Sequence, residues 1–154
     1  MKQLGIIPCG NKKIWDKNED VGPVRAKEAY IGTFHTLCEQ YATTFLDRWV
    51  ILSAKYGYLD PDDIVDGPYD VTFNQNSKEV IKTDFLQSQV KDKGLGQYKK
   101  IVVLTGKKYK PIVLESFEAH ENGTILFPLL GTKGIGYMQQ MLKRSLEEHK
   151  PIHL

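Results

Sequence analysis

Several short stretches carry the residue types that do chemistry, and four of them follow a compact apolar run. The first is Pro8-Cys9-Gly10-Asn11-Lys12-Lys13. A thiol close to lysines can lose its proton easily and act as a nucleophile, so Cys9 is a candidate; the other reading is a small buried cysteine. The second is Ser53-Ala54-Lys55-Tyr56-Gly57. Ser53 and Lys55 can hydrogen-bond a polar ligand and Tyr56 can stack on a ring, or the stretch is a strand end closed by glycine. The third is Thr105-Gly106-Lys107-Lys108-Tyr109, and the fourth, residues 128–136, holds Gly131, Lys133, Gly134 and Gly136. Glycines let backbone N–H groups approach a ligand, and a following helix adds its positive end. The fourth stretch is therefore either a phosphate or carboxylate site or a tight turn that needs glycine. A fifth, Gly67-Pro68-Tyr69-Asp70, lies in a long acidic connection. Asp70 can serve as a general base or hold a ribose hydroxyl and Tyr69 can cover a ring; a Pro-Tyr turn with a solvated Asp is the alternative.

Other chemistries are not indicated. Residues 131–136 contain no Gly-Lys-Ser/Thr, and their glycine spacing differs from the dinucleotide fingerprint. His35 falls in a helical pattern, and His120, His149 and His153 come late without ligand spacing, so no metal and no cofactor is expected. Two cysteines, Cys9 and Cys38, make no disulfide framework. The first residues read as a strand rather than a signal peptide, and no apolar run nears 18 residues. A cytoplasmic protein with no membrane partner is expected. The 154 residues carry a net charge of +2, too little to indicate nucleic acid by itself.

The elements that position these stretches alternate. Apolar runs at 4–7, 49–52, 101–104 and 125–127 read as strands. Between them, residues 26–45 place Tyr30, Phe34, Leu37, Tyr41 and Phe45 at helical spacing. Helices are also predicted over 77–90, with Ser77 as cap, over 111–119, with Pro111 in the first turn, and over 135–148. Fully apolar strands between amphipathic helices signal a parallel sheet buried on both faces. The expectation is a single α/β domain over residues 1–154, a three-layer sandwich around a central parallel sheet of about four strands. Residues 59–76 form an irregular connection of a length usually reserved for functional or disordered loops, either a lid or a fixed strap. Asp60, Asp62 and Asp63 within it read as a helix start or solvated turn. In an open parallel sheet the ligand sits outside the carboxyl ends of the strands, where the four strand-end stretches converge.

The ordered set Pro8-Cys9-Gly-Asn-Lys-Lys13, Ala26-x-x-x-Tyr30 with Phe34, Trp49-x-Ile-Leu-Ser-Ala-Lys-Tyr-Gly57, Pro68-Tyr-Asp70 and Gly106-x-x-Tyr109 resembles an uncharacterised bacterial and phage domain family of about this length. The Ser-Ala-Lys-Tyr-Gly and Pro-Tyr elements are similar to those of the YaaA peroxide-stress family, whose members bind DNA. A more distant likeness is to a domain of the archaeosine synthases, which act on a modified guanine in transfer RNA. The order of strand ends is similar to the uracil-DNA glycosylase fold, which implies a uracil-DNA-glycosylase-like architecture by analogy. The first loop lacks the Asp-Pro-Tyr of those glycosylases and the last lacks their His-Pro-Ser, so their catalytic roles do not carry over.

Two functions follow as expectations. One is an enzyme acting on an N-glycosidic bond of a nucleotide or nucleic-acid base, with Asp70 and Cys9 as candidate catalytic groups. Gly10, Asn11, Lys12, Lys13, Ser53, Lys55, Tyr56, Gly57, Tyr69, Gly106, Tyr109, Gly131, Lys133, Gly134 and Gly136 would bind the ligand. The other is a non-catalytic nucleotide or nucleic-acid binder: a sensor, a sequestering protein or a DNA-binding module.

Overall fold

Leu4, Ile6 and Ile7 are fully buried, because strand β1 (Gln3–Pro8) pairs along both of its edges. The structure, a computed structural model, describes residues 2–75, 77–120 and 123–153. After β1 come α1 (Ile14–Lys17), β2 (Val24–Arg25), α2 (Ala26–Ala29), α3 (Thr33–Phe45), β3 (Arg48–Ser53), β4 (Gly57–Leu59), β5 (Ile64–Val65) and α4 (Thr83–Asp92). Then follow β6 (Lys100–Val103), α5 (Lys110–Ser116), β7 (Thr124–Leu126) and α6 (Ile135–Glu148). The main sheet has the order β4-β3-β1-β6-β7, and β2 pairs with β5 in a small ribbon.

Successive strand residues point to opposite faces. Ile7, Ile51, Val102 and Leu104 join Leu37, Tyr41, Ala42 and Leu142 of α3 and α6 on one side. Leu4, Ile6, Val50, Leu52, Ile101 and Val103 join Leu86, Val90 and Val113 of α4 and α5 on the other. Helices thus cover both faces, as the unbroken apolar runs require.

The four strands expected to be parallel are so. The sheet is nevertheless mixed, because a fifth strand, β4, runs antiparallel to β3 where the sequence reading places a stop. The turn is made by Ser53, whose Oγ accepts the N–H groups of Lys55 and Tyr56 at 3.2 Å, and by Gly57 at φ +76°. The helix expected over 26–45 is two helices. Tyr30 bridges to Lys13, and Ile31 donates its N–H to Lys12 O at 3.1 Å, so residues 30–32 leave the helix. Ser77 caps a turn rather than the helix: its Oγ takes the N–H of Glu79, and Ile81 N–H is spent on Ala54 O at 2.7 Å before α4 starts at Thr83. Pro111 sits in the first turn of α5, and the last helix has the expected bounds.

The long connection is a strap. Its strand β5 pairs with β2, Val65 and Val71 are buried, and Ala26 N–H bonds Asp63 O at 2.7 Å. Asp60 and Asp63 meet Lys93 at 3.1 and 2.7 Å, and Asp60 meets Arg48 at 3.0 Å. Asp62 stays largely solvated. Asn76, the far end of that segment, lies outside the described residues.

The chain end after α6 is tied down by His153, which is 4 % exposed. Ile152 N–H donates to Tyr41 Oη, Tyr41 bonds His153 Nδ1, and His153 Nε2 lies 2.7 Å from Gln3 Oε1. The network is satisfied by a neutral ring, with Nδ1 accepting and Nε2–H donating. Burial, and secondarily the charge of Lys100, hold the His153 pKa below its ordinary value near 6.5.

Two outcomes are expected. A depressed histidine pKa leaves the native state neutral while the unfolded chain takes up a proton. Its contribution is therefore complete above about pH 6.5 and lost as pH falls below that value. Urea unfolding between pH 7 and 5 will lose less stability in His153→Gln than in the wild type. Gly57→Ala will lower stability by about 1–2 kcal/mol from backbone conformation alone, and by more because the new Cβ meets Gln89 and Ile81. An unchanged urea midpoint would contradict this.

Candidate functional site

At β1 the chain turns in opposite directions: the segment after β1 leads to the α3 face, and the segment after β6 leads to α5. Their divergence opens a crevice at the carboxyl edge of the sheet, where open α/β sheets bind ligands. The crevice here is a cleft of about 750 Å³. Its walls are Pro8, Gly10, Asn11 and Lys12, then Gly32, Thr33, Phe34 and His35 at the start of α3, residues 106–109, and Ile135, Met138 and Gln139 of α6. That volume is in the range of small-molecule sites. Lys12, Lys107 and Lys108 are exposed at the rim, and among the described residues no carboxylate lines the cleft. Neither α3 nor α6 has a side-chain cap or an acidic residue in its first turn, so their leading N–H groups add to the positive field.

A narrow cavity of about 20 Å³ adjoins the cleft and shares Gly10, Asn11, Lys108 and Tyr109 with it. Cys9, Lys13 and Asp70 line this cavity. Gly10, at φ +78°, makes the turn that brings them together. Asp70 is exposed, and its carboxylate takes no hydrogen bond among the described residues; only its backbone oxygen does, from Gln75 at 3.1 Å. Lys13 is 7 % exposed.

Behind the cavity lies a cluster of hydroxyls. Tyr69 Oη bonds Tyr30 Oη and lies 2.8 Å from Ser53 Oγ. The Tyr69 ring carries Lys13 Nζ at 4.5 Å and Lys55 Nζ at 5.5 Å from its centroid, with Tyr56 edge-on at 5.4 Å. Burial pushes the Tyr30 and Tyr69 hydroxyls well above the ordinary tyrosine range, and Tyr109 up to about 12. All three therefore act as neutral hydrogen-bonding groups near pH 7.

The predicted site residues divide accordingly. Gly10, Asn11, Lys12, Gly106 and Tyr109 line the cleft; Cys9, Lys13 and Asp70 line the narrow cavity. Ser53, Lys55, Tyr56 and Tyr69 meet one another behind it. Ser53 is fully buried and its oxygen is spent on the hairpin turn and Tyr69, so it holds the strap. Gly57 serves the hairpin. Gly131 and Lys133 face a separate groove along α6, with Tyr137 and Arg144; Gly134 and Gly136 line neither space. The lysine-lowered Cys9 thiol is corrected: burial raises its pKa, outweighing Lys13, the Tyr69 hydroxyl and nearby backbone N–H groups.

The sequence places Tyr30, Phe34 and His35 in one helical pattern, and Tyr30 and Phe34 in the resemblance motif, but gives none of the three a ligand-binding role. The break at Gly32, a glycine in the middle of the expected helix, was the available signal for Phe34 and His35 at a helix start. His35 Nδ1–H donates to Pro8 O at 2.8 Å. Its Nε2 is 3.5 Å from Glu39 Oε2 without a hydrogen bond. Among the described residues no group of three His, Cys, Asp or Glu side chains is placed to hold a metal ion, and no helix is long and apolar enough to cross a membrane.

Comparison with known proteins matches residues 6–144 to the model of a family of unknown function, DUF6884. The chain is also 51% identical over 148 residues to the uncharacterised protein YfjM of Bacillus subtilis strain 168, covering 96% of this chain and 97% of that one.

Tyr69→Phe tests the hydroxyl cluster. Tyr30, 2 % exposed, loses the partner of its hydroxyl, at a cost of about 1–3 kcal/mol. The urea midpoint will fall with an unchanged slope; no change would mean that the hydroxyl contributes nothing to the native state.

Proposed function

For this chain, which belongs to the DUF6884 family of unknown function, we propose an enzyme of nucleotides or nucleic-acid bases that acts on an N-glycosidic bond. The observation that carries this reading is the division of charge at the crevice. Among the described residues, a cleft rimmed by Lys12, Lys107 and Lys108 holds no carboxylate, and a single one, Asp70, stands at the adjoining cavity. The lysines and the leading N–H groups of α3 hold phosphate. Phe34 and Tyr109, both half-buried in the cleft walls, flank the base. The C1′–N bond breaks with its electron pair on the base nitrogen, which takes up a proton from solvent, replaced when Asp70 releases to solvent the proton it takes from the attacking water. Water adds to C1′, and Asp70 accepts the proton of that water after stabilising the positive charge on the sugar.

A second reading, a nucleotide- or nucleic-acid-binding protein without chemistry, is favoured by one observation. Among the described residues, nothing hydrogen-bonds the Asp70 carboxylate to orient it.

The test is a thermal-shift titration at low salt with nucleosides, mononucleotides and short DNA and RNA. A mononucleotide at a hundred times its dissociation constant will stabilise the protein by about 2.7 kcal/mol, or about 5–10 °C. Chromatography of the incubated mixture will then show free base. Asp70→Asn will lower its release by about a hundredfold or more while leaving the thermal shift intact. A full shift with no free base supports the binding reading. A shift with polymers alone, lost steeply as salt rises, moves the site from a pocket to a surface.

A further inference from the structure

We propose that Lys13 reads a carbonyl oxygen on the base, so that the cleft takes keto-bearing nucleotides of the uracil, guanine or hypoxanthine type in preference to their amino counterparts; this rests on the nucleotide reading above. Lys13 is a buried ammonium group that forms no salt bridge among the described residues, although the exposed Asp70 lines the same cavity. Among the described residues its Nζ has one hydrogen-bond partner, Asn11 O at 3.2 Å, and it lies over the Tyr69 ring. No carboxylate among the described residues pairs with it. The nearby Asp16 carboxylate is taken instead by the backbone N–H of Lys13 at 2.8 Å. Lysine has three donors, so two are left for something else. Taking an ammonium out of water is unfavourable unless it gains partners, and one carbonyl and a ring face compensate only in part.

The backbone dictates this inward placement. The bridge to Tyr30, the Ile31 to Lys12 hydrogen bond and the Asp16 contact hold residues 12 and 13 in register, with Lys12 outside and Lys13 inside. The narrow cavity that Lys13 lines has about 20 Å³. A water-sized group needs roughly 10–15 Å³, so the space admits one oxygen and excludes a phosphate or a ring. It opens beside the cleft along shared walls, where the edge of a bound base would project a single exocyclic group. Lysine can only donate, so Nζ donates to a carbonyl oxygen there and opposes the N–H bonds of an amino group; the Asp70 carboxylate, which lines the same cavity, is exposed and stays solvated.

Calorimetric titration of UMP against CMP, and of IMP against AMP, tests the inference without any variant. The wild type will bind the keto member about tenfold or more tightly, as expected for a hydrogen bond to a charged donor. Lys13→Met will lose that preference by weakening UMP and IMP, and its free form will melt at the wild-type temperature or above, because an unpaired buried charge is gone. Inorganic phosphate binding will be the same in both proteins. Equal binding of the four nucleotides by the wild type, or a preference that survives in Lys13→Met, overturns the role of Lys13 and leaves the nucleotide reading standing. A loss of phosphate binding in Lys13→Met reassigns it to the phosphate site and overturns it also. Binding of no nucleotide at all overturns both.

Discussion

The double pairing of the central strand is the constraint on which the rest of the molecule depends. Strand β1 is hydrogen-bonded to β3 on one edge and to β6 on the other, and its apolar residues are sealed between two helical layers. A strand so enclosed leaves the sheet only at its end, and Pro8, lacking an N–H, ends it. The ladder on the other edge runs on as far as Leu104 N–H to Ile6 O at 2.8 Å. The two chains therefore part at the same level of the sheet and in opposite directions. The cleft is the space between them, and it exists because of strand order.

A second set of contacts closes the back of that space. Ser53 Oγ accepts two backbone N–H groups from the hairpin turn and meets Tyr69 of the strap, which in turn meets Tyr30 at the break between α2 and α3. Each hydrogen bond is modest alone, but buried hydroxyl chains reinforce one another and tolerate little rearrangement. With β2 and β5 paired and Asp60 and Asp63 on Lys93, the long connection is held at several points. It forms a wall of the site rather than a lid.

Charge is distributed in two ways around this wall. Lys12, Lys107 and Lys108 are exposed, so their field reaches into solvent and is screened by salt. Lys13 is buried, so salt screens its field much less. Adjacent lysines thus have different physics because the backbone turns one out and the other in.

Much of this architecture was legible in the chain. Runs such as Ile101 to Leu104, apolar at every position, have no polar face to show water, which implies burial on both sides, helices above and below, and a ligand edge where the glycines and lysines collect. The parallel strands, the last helix and the placing of Gly10, Asn11, Lys12, Gly106 and Tyr109 at one edge of the sheet follow from that periodicity. The reversal at Gly57 did not, because a glycine after a strand reads equally as a stop or a hinge until a partner edge is present. The helix break at Gly32 was hidden by apolar spacing that continues through it. Only the tertiary structure set Tyr30 against Tyr69, turned the glycines around 131–136 away from the cleft and buried Lys13 beside its exposed neighbour. Those outcomes depend on contacts between segments distant in the chain, about which local periodicity carries no information.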